Sequence, residues 1–174
     1  MKKILVISPH SDDAELGMGG TMDKLTKDGC QIKHLVFDHE FAIRSFPEHR
    51  QEILDRLIEM RDKFKPDTVF CPATTDVHQD HQVVNAETIR AFKTNASILG
   101  YELPWNNINY HSNLSIKLTK TNIDNKWKML QAFTTQFHRP YFNKNFIVSL
   151  ATVRGVQCHA EFAESFEVIR WLIS

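Results

Sequence analysis

Cysteine is scarce in the 174-residue sequence, and its placement excludes two classes of protein. The three cysteines, Cys30, Cys71 and Cys158, lie far apart and form no Cys-x-x-Cys pair. This spacing argues against a disulfide framework and against a zinc site built from thiolates. We therefore expect three free thiols, buried as small apolar side chains in a reducing compartment.

The sequence also lacks an excess of charge of either sign. Lysine and arginine together number 21, aspartate and glutamate together number 21, and the formal net charge at pH 7 is +0. Such a chain has no broad positive field of the kind that binds nucleic acid or anionic membranes without sequence preference. We expect no nucleic-acid partner.

Long hydrophobic runs, internal repeats and linkers rich in glycine, serine or proline are absent from the sequence. The apolar run near the start, residues 4–7, is too short for the core of a signal peptide and far too short to span a membrane. We therefore expect a cytoplasmic protein with no membrane span. Hydrophobic residues make up 42% of the chain, which predicts one core and a single domain over residues 1–174 and leaves homo-oligomer formation open.

Short apolar segments alternate with amphipathic ones in the first half of the sequence. Three segments rich in β-branched or aromatic residues are typical of strands buried on both faces, namely 4–7, 32–37 and 68–71. Helical spacing of apolar residues follows each of them, over 16–25, 47–64 and 83–92. This order predicts an α/β fold with a parallel sheet and helices on both of its faces.

The second half has a less regular pattern. Residues 97–101 and 146–153 resemble strands, because they are short and rich in apolar or β-branched side chains. Residues 121–137 carry apolar side chains at helical spacing, and 109–118 add a further strand whose direction the sequence does not define.

Reactive side chains follow the first predicted strand. His10, Asp12 and Asp13 come directly after it, at the carboxyl edge where open parallel sheets place their sites. An imidazole and a carboxylate three residues apart suit zinc or a similar divalent ion. The alternative is that the acids only cap the next helix, where negative charge is favoured by the helix dipole.

A second group follows the third predicted strand and therefore lies at the same edge of the sheet. It contains His78, Asp80 and His81. Two histidines and one carboxylate with an open coordination position are typical of a catalytic zinc site. We predict that the metal ligands are His10, Asp13 and His81.

The remaining polar residues of the two groups suit hydrolysis. Asp12 is the candidate base that takes a proton from water activated by the ion. His78, kept protonated or oriented by Asp80, is the candidate to stabilise an oxyanion and to donate a proton to a leaving amine.

With both groups identified, the sequence resembles the LmbE-like, or PIG-L, family of metal-dependent de-N-acetylases. Residues 9–15 read Pro-His-Ser-Asp-Asp-Ala-Glu, close to the family's first motif, and glycines follow at 17, 19 and 20. Residues 78–81 read His-Gln-Asp-His, as in its second motif, and later pieces at 135–137 and 163–166 are also similar. Ser11 stands where the family usually has proline.

The resemblance implies a Rossmann-like three-layer αβα sandwich with a mostly parallel sheet. It implies one divalent ion, zinc with iron as the alternative, and hydrolysis of an N-acetylglucosamine-type sugar conjugate to amine and acetate. The family's substrate-holding arginine corresponds to Arg50, with Arg44 as the alternative position. The resemblance does not select among glycolipid, thiol-precursor and polysaccharide-precursor substrates.

Three other functions compete with this one. A dinucleotide-binding oxidoreductase could use glycines 17–20, but ten residues separate them from the first strand, and acids in the turn would repel a pyrophosphate. A metallophosphoesterase could use the same residue types but often needs two metals and more ligands. A protein that only binds the ion would have no need of the spare acid Asp12.

Overall fold

The computed structural model describes residues 1–173, and this part of the chain forms six strands and five α-helices. The strands are β1 (Lys3–Ser8), β2 (Gln31–Val36), β3 (Thr68–Pro72), β4 (Ser97–Tyr101), β5 (Leu114–Leu118) and β6 (Phe162–Arg170). The helices are α1 (Asp13–Lys27), α2 (Arg50–Phe64), α3 (Gln79–Phe92), α4 (Lys120–Leu130) and α5 (Lys144–Gln157). Two short 3-10 helices cover Phe46–His49 and Thr134–Gln136.

All six strands join one sheet in the order β2-β1-β3-β4-β6-β5. Strands β1 to β4 are parallel to one another, whereas β6 runs antiparallel to both β4 and β5. The predicted α/β fold with a mostly parallel sheet is therefore confirmed. Because β1 and β3 are neighbours, the loops at their carboxyl ends emerge side by side.

The core consists of two hydrophobic clusters, one on each face of the sheet. Along β1, Ile4 and Val6 enter the cluster that α1, α4 and α5 cover, whereas Leu5 and Ile7 enter the cluster that α2 and α3 cover. All four side chains are fully buried, as expected for a parallel strand with helices on both faces. This arrangement is the predicted three-layer sandwich.

The second half of the chain departs from its predicted structure at two places. Residues 146–153, predicted as a strand, lie inside α5. The Asn143 side chain accepts a hydrogen bond from the Phe146 backbone N–H and so begins that helix. Ile147, Ala151 and Gly155, four residues apart, form its buried side. Strand β6 was not predicted, and the predicted helix over 121–137 ends at Leu130.

The glycines of the first motif allow α1 to pack closely on its neighbours. A Cβ atom added at Gly17 would lie 2.6 Å from Tyr101 Cδ2, and one added at Gly20 would lie 2.7 Å from Leu118 Cδ1. Both distances are shorter than non-bonded carbon atoms tolerate. These glycines serve helix packing, which removes the main argument for a phosphate-binding loop.

A buried ion pair fixes α1 to the second half of the chain. Glu164 accepts hydrogen bonds from the backbone N–H groups of Gly20 and Thr21, at 3.1 and 2.7 Å. Lys126 Nζ donates to the same carboxylate at 2.6 Å, and both charged side chains are buried. The family-like piece at 163–166 therefore has a structural role here.

Two expectations from composition can be compared with the structure. The three cysteines are free, but only Cys71 is buried. None of the helices within residues 1–173 is sufficiently long and apolar to cross a bilayer.

Candidate active site

The two sequence motifs meet at the carboxyl edge of the sheet. His10 follows β1 and His81 lies in the first turn of α3, after β3. Their facing ring nitrogens, His10 Nδ1 and His81 Nε2, are 3.2 Å apart although the residues are 71 positions apart in the chain. The structure thus brings together the residues that the sequence predicted to converge.

Asp13 completes a triangle with these two rings. Its Oδ2 atom lies 3.3 Å from His10 Nδ1 and 3.2 Å from His81 Nε2. A tetrahedral zinc ion with bonds of 2.0–2.1 Å separates its ligand atoms by about 3.3 Å. The three atoms therefore fit one small divalent ion without rearrangement.

Buried carboxylates hold both rings from the opposite side. His10 Nε2 lies 3.0 Å from Asp80 Oδ2, and His81 Nδ1 lies 2.7 Å from Asp76 Oδ2. A carboxylate at one ring nitrogen keeps the proton there and leaves the lone pair on the other nitrogen. The free lone pairs of His10 Nδ1 and His81 Nε2 then face the same point as Asp13.

His78 differs from these two histidines in its hydrogen bonding. Its Nδ1 accepts a hydrogen bond from the backbone N–H of Asp80 at 3.2 Å. In a neutral ring this places the proton on Nε2, which becomes a donor. Burial, together with the neighbouring His81 and His10 rings, lowers the pKa of His78 below its usual value, which favours the neutral ring.

Asp80 therefore has a different partner from the one predicted. Its carboxylate contacts His10, and only its backbone N–H contacts His78. The lowered pKa also argues against a protonated His78. Asp80 was expected to keep His78 protonated or oriented. Its backbone N–H does orient the His78 ring, whereas its carboxylate contacts His10 and does not hold a proton on His78.

Two sets of side chains could hold an ion. The imidazoles of His10, His78 and His81 offer ring nitrogens within 4.8 Å of one another, and Asp13 offers the shorter triangle described above. The lone pair of His78 Nδ1 already accepts a hydrogen bond, and the other ring nitrogen carries a proton, so neither nitrogen is free to bind an ion. This favours the set with Asp13.

The charges of the site are strongly coupled. Burial alone would lower the pKa of His81, but Asp13 and Asp76 raise it to about 10. Burial would raise the pKa of Asp13, but His81 and His10 hold it below its usual range. A cation is therefore favoured between these groups, which is the electrostatic condition for a metal site.

Asp12 remains outside this triangle. It is the N-cap residue of α1 but makes no side-chain capping hydrogen bond, so the alternative of a purely capping role fails for it. Burial and the neighbouring Asp13 charge raise its pKa to about 6. Such a carboxylate can accept and return a proton near neutral pH.

Ser11, which replaces the usual proline of the family motif, ties the motif to the next loop. Its backbone N–H and its Oγ–H both donate to Asp38 Oδ2, at 2.8 and 2.7 Å. A proline could make neither bond, because it has no N–H and no hydroxyl. Asp38 follows β2 and lines the same cavity.

A cavity of about 570 Å³ opens above the triangle. Its floor includes His10, Asp12, Asp13, His78 and His81. Its walls come from the loops after β2 and β4 and from the segment between α4 and α5, and these walls include Arg44, Trp105, Arg139 and Tyr141. The volume is in the range of pockets that enclose small molecules.

Arg50 does not lie in this cavity. Its guanidinium pairs with the buried carboxylate of Glu87, with Nε 2.8 Å from Oε1. Arg44, the alternative position, is the residue that lines the cavity. The structure gives Arg44 rather than Arg50 a place in the cavity wall, because α2 directs the Arg50 side chain onto α3; substrate binding by Arg50 stays a prediction.

Sequence reasoning missed several residues of the site. Asp76 lies two residues before His78, and this closeness to the second motif was the one indication in the sequence that it belongs to the site. Arg139 and Tyr141 gave no signal, since they follow α4 in an irregular segment. Trp105 stacks on Tyr141 with ring centroids 3.7 Å apart and planes 8° apart, which forms an aromatic wall of the cavity.

Comparison with known proteins gives a short sequence match and extensive structural matches. No model of a known protein family matches the chain. Over an alignment of 64 residues, the chain is 36% identical to a diacetylchitobiose deacetylase from Thermococcus kodakarensis. The match covers 29% of this chain and 24% of that protein, so the chain spans well under two thirds of this relative.

Solved structures match almost the whole chain. The N,N'-diacetylchitobiose deacetylase from Pyrococcus horikoshii has a TM-score of 0.73 at 18% identity, with 97% of this chain and 84% of that chain covered. The zinc-inhibited form of teicoplanin deacetylase Orf2 has a TM-score of 0.76 at 15% identity, with 99% of this chain and 100% of that chain covered. GalB, the 4-carboxy-2-hydroxymuconate hydratase from Pseudomonas putida KT2440, has a TM-score of 0.75 at 14% identity, covering 100% and 98%.

These likenesses establish the fold of the chain. The resemblance found in the motifs is confirmed at this level: the structural neighbours include diacetylchitobiose and teicoplanin deacetylases of the LmbE-like, or PIG-L, family. The hydratase among the neighbours means that the fold alone does not define the reaction.

Proposed function

We propose that the protein is a metal-dependent hydrolase that removes the acetyl group from an N-acetylated sugar conjugate. The observation that carries this proposal is the triangle of His10 Nδ1, Asp13 Oδ2 and His81 Nε2, with sides of 3.2–3.3 Å. The deacetylases among its structural neighbours and the deacetylase matched in sequence support the choice of reaction. The substrate is then an acetamide of the N-acetylglucosamine type.

The proposed ligands are His10, Asp13 and His81, and the proposed ion is zinc, with iron as the alternative. A divalent ion held there would act as a Lewis acid on the acetamide carbonyl and on water. Two neutral imidazoles and one carboxylate match the ligand types of catalytic zinc sites. Asp80 and Asp76 would fix the two imidazoles with their lone pairs toward the ion.

Asp12 would act as the base of the reaction. It takes one proton from water as the water oxygen attacks the acetamide carbon, and the carbonyl electron pair moves onto oxygen. The C–N bond then breaks, Asp12 returns its proton to the nitrogen, and the products are the amino sugar and acetate. Its pKa of about 6 suits both transfers near neutral pH.

His78 would stabilise the oxyanion. Since Nδ1 accepts the Asp80 N–H, the proton on Nε2 is available to a developing negative charge in the cavity. A neutral ring cannot readily give up that proton to a leaving amine. We therefore assign the proton return to Asp12 rather than to His78.

The competing functions have less support. The turn after β1 holds His10, Asp12 and Asp13, which leaves no place for a pyrophosphate, and the glycines pack against side chains. A two-metal phosphoesterase needs a second set of ligands, and the one group of potential metal ligands identified among residues 1–173 is the set of three histidines, His10, His78 and His81.

Amine release from a panel of N-acetylated sugars tests the proposal. The panel includes N-acetylglucosamine, N,N'-diacetylchitobiose, and sugar-phosphate, nucleotide-linked and lipid-linked forms. We expect the zinc-loaded protein to release amine and acetate in equal amounts, and a chelator to abolish the release. Asp12→Asn, loaded with the same amount of zinc, is the matched control and should be inactive.

Absence of amine release from every member, with one zinc ion bound per chain, would contradict the proposal. Hydration of an unsaturated carboxylate by the same preparation would instead place the chain with the hydratase among its structural neighbours.

A further inference from the structure

Most of the arginine side chains of this protein form ion pairs with carboxylates, but the two that line the cavity do not. The chain has eight arginines. Five have ion-pair partners, namely Arg50, Arg56, Arg61, Arg90 and Arg154. Among residues 1–173, the guanidinium groups of Arg44, Arg139 and Arg170 have no carboxylate partner, and the first two line the cavity.

The backbone of Arg44 is held in an unusual conformation. Its φ of 72° lies in the left-handed region, which is unfavourable for a residue with a Cβ atom. Its N–H donates to Asp80 Oδ2 at 2.6 Å, and its C=O accepts from Gln79 Nε2 at 2.6 Å. Two hydrogen bonds to the start of α3 therefore keep Arg44 at the mouth of the cavity.

Arg139 approaches from the segment between α4 and α5. Its N–H donates to the Gln136 carbonyl at 2.9 Å, and its own carbonyl accepts from the Phe142 N–H at 3.0 Å. These consecutive turns fix the backbone beside the aromatic wall. Arg139 is exposed, as is Arg44.

The acids that line the cavity contact groups other than the two arginines. Asp13 contacts both histidines of the triangle, and Asp38 accepts two hydrogen bonds from Ser11. Asp12 lies beside Asp13 on the cavity floor, where the reaction needs it. The two arginines thus supply positive charge to the cavity wall, and neither forms an ion pair with a carboxylate among residues 1–173.

We propose that Arg44 and Arg139 bind an anionic group, a phosphate or a carboxylate, on the N-acetylated sugar. This proposal rests on the proposed function and adds the substrate's charge to it. Guanidinium groups bind both oxyanions through paired, charge-assisted hydrogen bonds. The metal triangle would hold the acetamide while the arginines hold the opposite end of the substrate.

The test compares neutral and anionic sugars on the zinc-loaded enzyme. N-acetylglucosamine is the neutral substrate; its 1-phosphate and 6-phosphate and N-acetylmuramic acid carry phosphate or carboxylate. We expect a higher kcat/KM for at least one anionic sugar. Arg44→Ala and Arg139→Ala should each lower that value roughly ten- to a hundredfold, and should lower kcat/KM for the neutral sugar by a clearly smaller factor.

Arg170→Ala is the matched control, because Arg170 also lacks a carboxylate partner but lies at the end of β6, outside the cavity. It should leave both values unchanged. A preference for phosphate or for carboxylate among the anionic sugars identifies the source of the charge. Equal kcat/KM for neutral and anionic sugars, or equal losses on both in the arginine variants, would overturn the proposal and leave the hydrolase intact.

Binding without turnover separates this proposal from the proposed function. Calorimetry on the zinc-loaded protein would compare glucosamine with glucosamine 1-phosphate, glucosamine 6-phosphate and muramic acid. Tighter binding of an anionic amino sugar, lost in Arg44→Ala, supports anion recognition even if no acetyl group is released. Equal affinity for all four compounds refutes it.

Discussion

Asp76 Oδ2 lies 2.7 Å from His81 Nδ1, and both side chains are almost completely buried. The other oxygen of Asp76 accepts the backbone N–H of His78 at 2.8 Å. One carboxylate thereby orients a proposed ligand and the start of α3, which presents the other residues of the second motif. Asp76 is a positioning residue, because it acts on the ion only through His81.

Replacing Asp76 should weaken metal binding. Without the carboxylate, His81 loses its fixed tautomer and orientation, so Asp76→Ala should raise the zinc dissociation constant about 10- to 100-fold. Competition with a chromophoric chelator measures this constant. Asp55→Ala, at an exposed position on α2, is the control, and equal zinc affinity in both variants would remove Asp76 from the site.

Replacing Asp12 should separate catalysis from metal binding. Asp12→Asn keeps the size of the side chain but cannot accept a proton, so kcat should fall about 10²- to 10⁴-fold. Zinc content, measured by elemental analysis of the purified variant, should stay near one ion per chain. Substantial remaining turnover would mean that another group is the base.

The two possible ligand sets predict opposite results for His78. If Asp13 is a ligand, His78→Ala keeps the zinc content and loses activity, whereas Asp13→Ala loses the ion. His10→Ala and His81→Ala should lose it under either set. A zinc-free His78→Ala with zinc retained in Asp13→Ala would show that the ion sits among the three imidazoles instead.

The buried Lys126–Glu164 pair should be sensitive to removal of one partner. Lys126→Met leaves the Glu164 carboxylate buried without its cation, and should lower the free energy of unfolding by about 3–5 kcal/mol. Urea denaturation of the metal-free protein measures this loss. Lys126→Met combined with Glu164→Gln should recover much of it, because the glutamine carries no charge; a double variant as unstable as the single one would count against this account.

Two kinds of information allowed parts of the site to be predicted from the sequence. One is the spacing of residues within a motif, and the other is that functional residues of a parallel sheet lie at the carboxyl ends of its strands. His10, Asp13 and His81 lie in the segments that follow buried strands, and neighbouring parallel strands deliver these segments to one edge of the sheet. The partners of those residues depend on how loops cross above the edge. That is why Asp80 was paired with His78, and why Arg139 was not found at all.

The fold was predictable where apolar segments had clear limits. Strands β1 to β3 lie between polar or turn residues, and the helix after Pro47 has regular spacing. Residues 146–153 have a β-branched, apolar composition that favours a strand, yet Asn143 provides a helix start and α5 packs on the sheet. Tertiary packing outweighed local preference at that point.

A single atom of Asp80 connects the loop over residues 39–45, which carries Arg44, to His10, a proposed ligand of the ion. Asp80 Oδ2 accepts both the Arg44 N–H and the His10 ring, so a rotation of this carboxylate that lengthens one bond disturbs the other. Remodelling residues 39–45 to admit a new substrate would therefore carry a penalty in ion retention. A substitution in this loop that changes substrate selectivity would therefore also change the affinity for the ion.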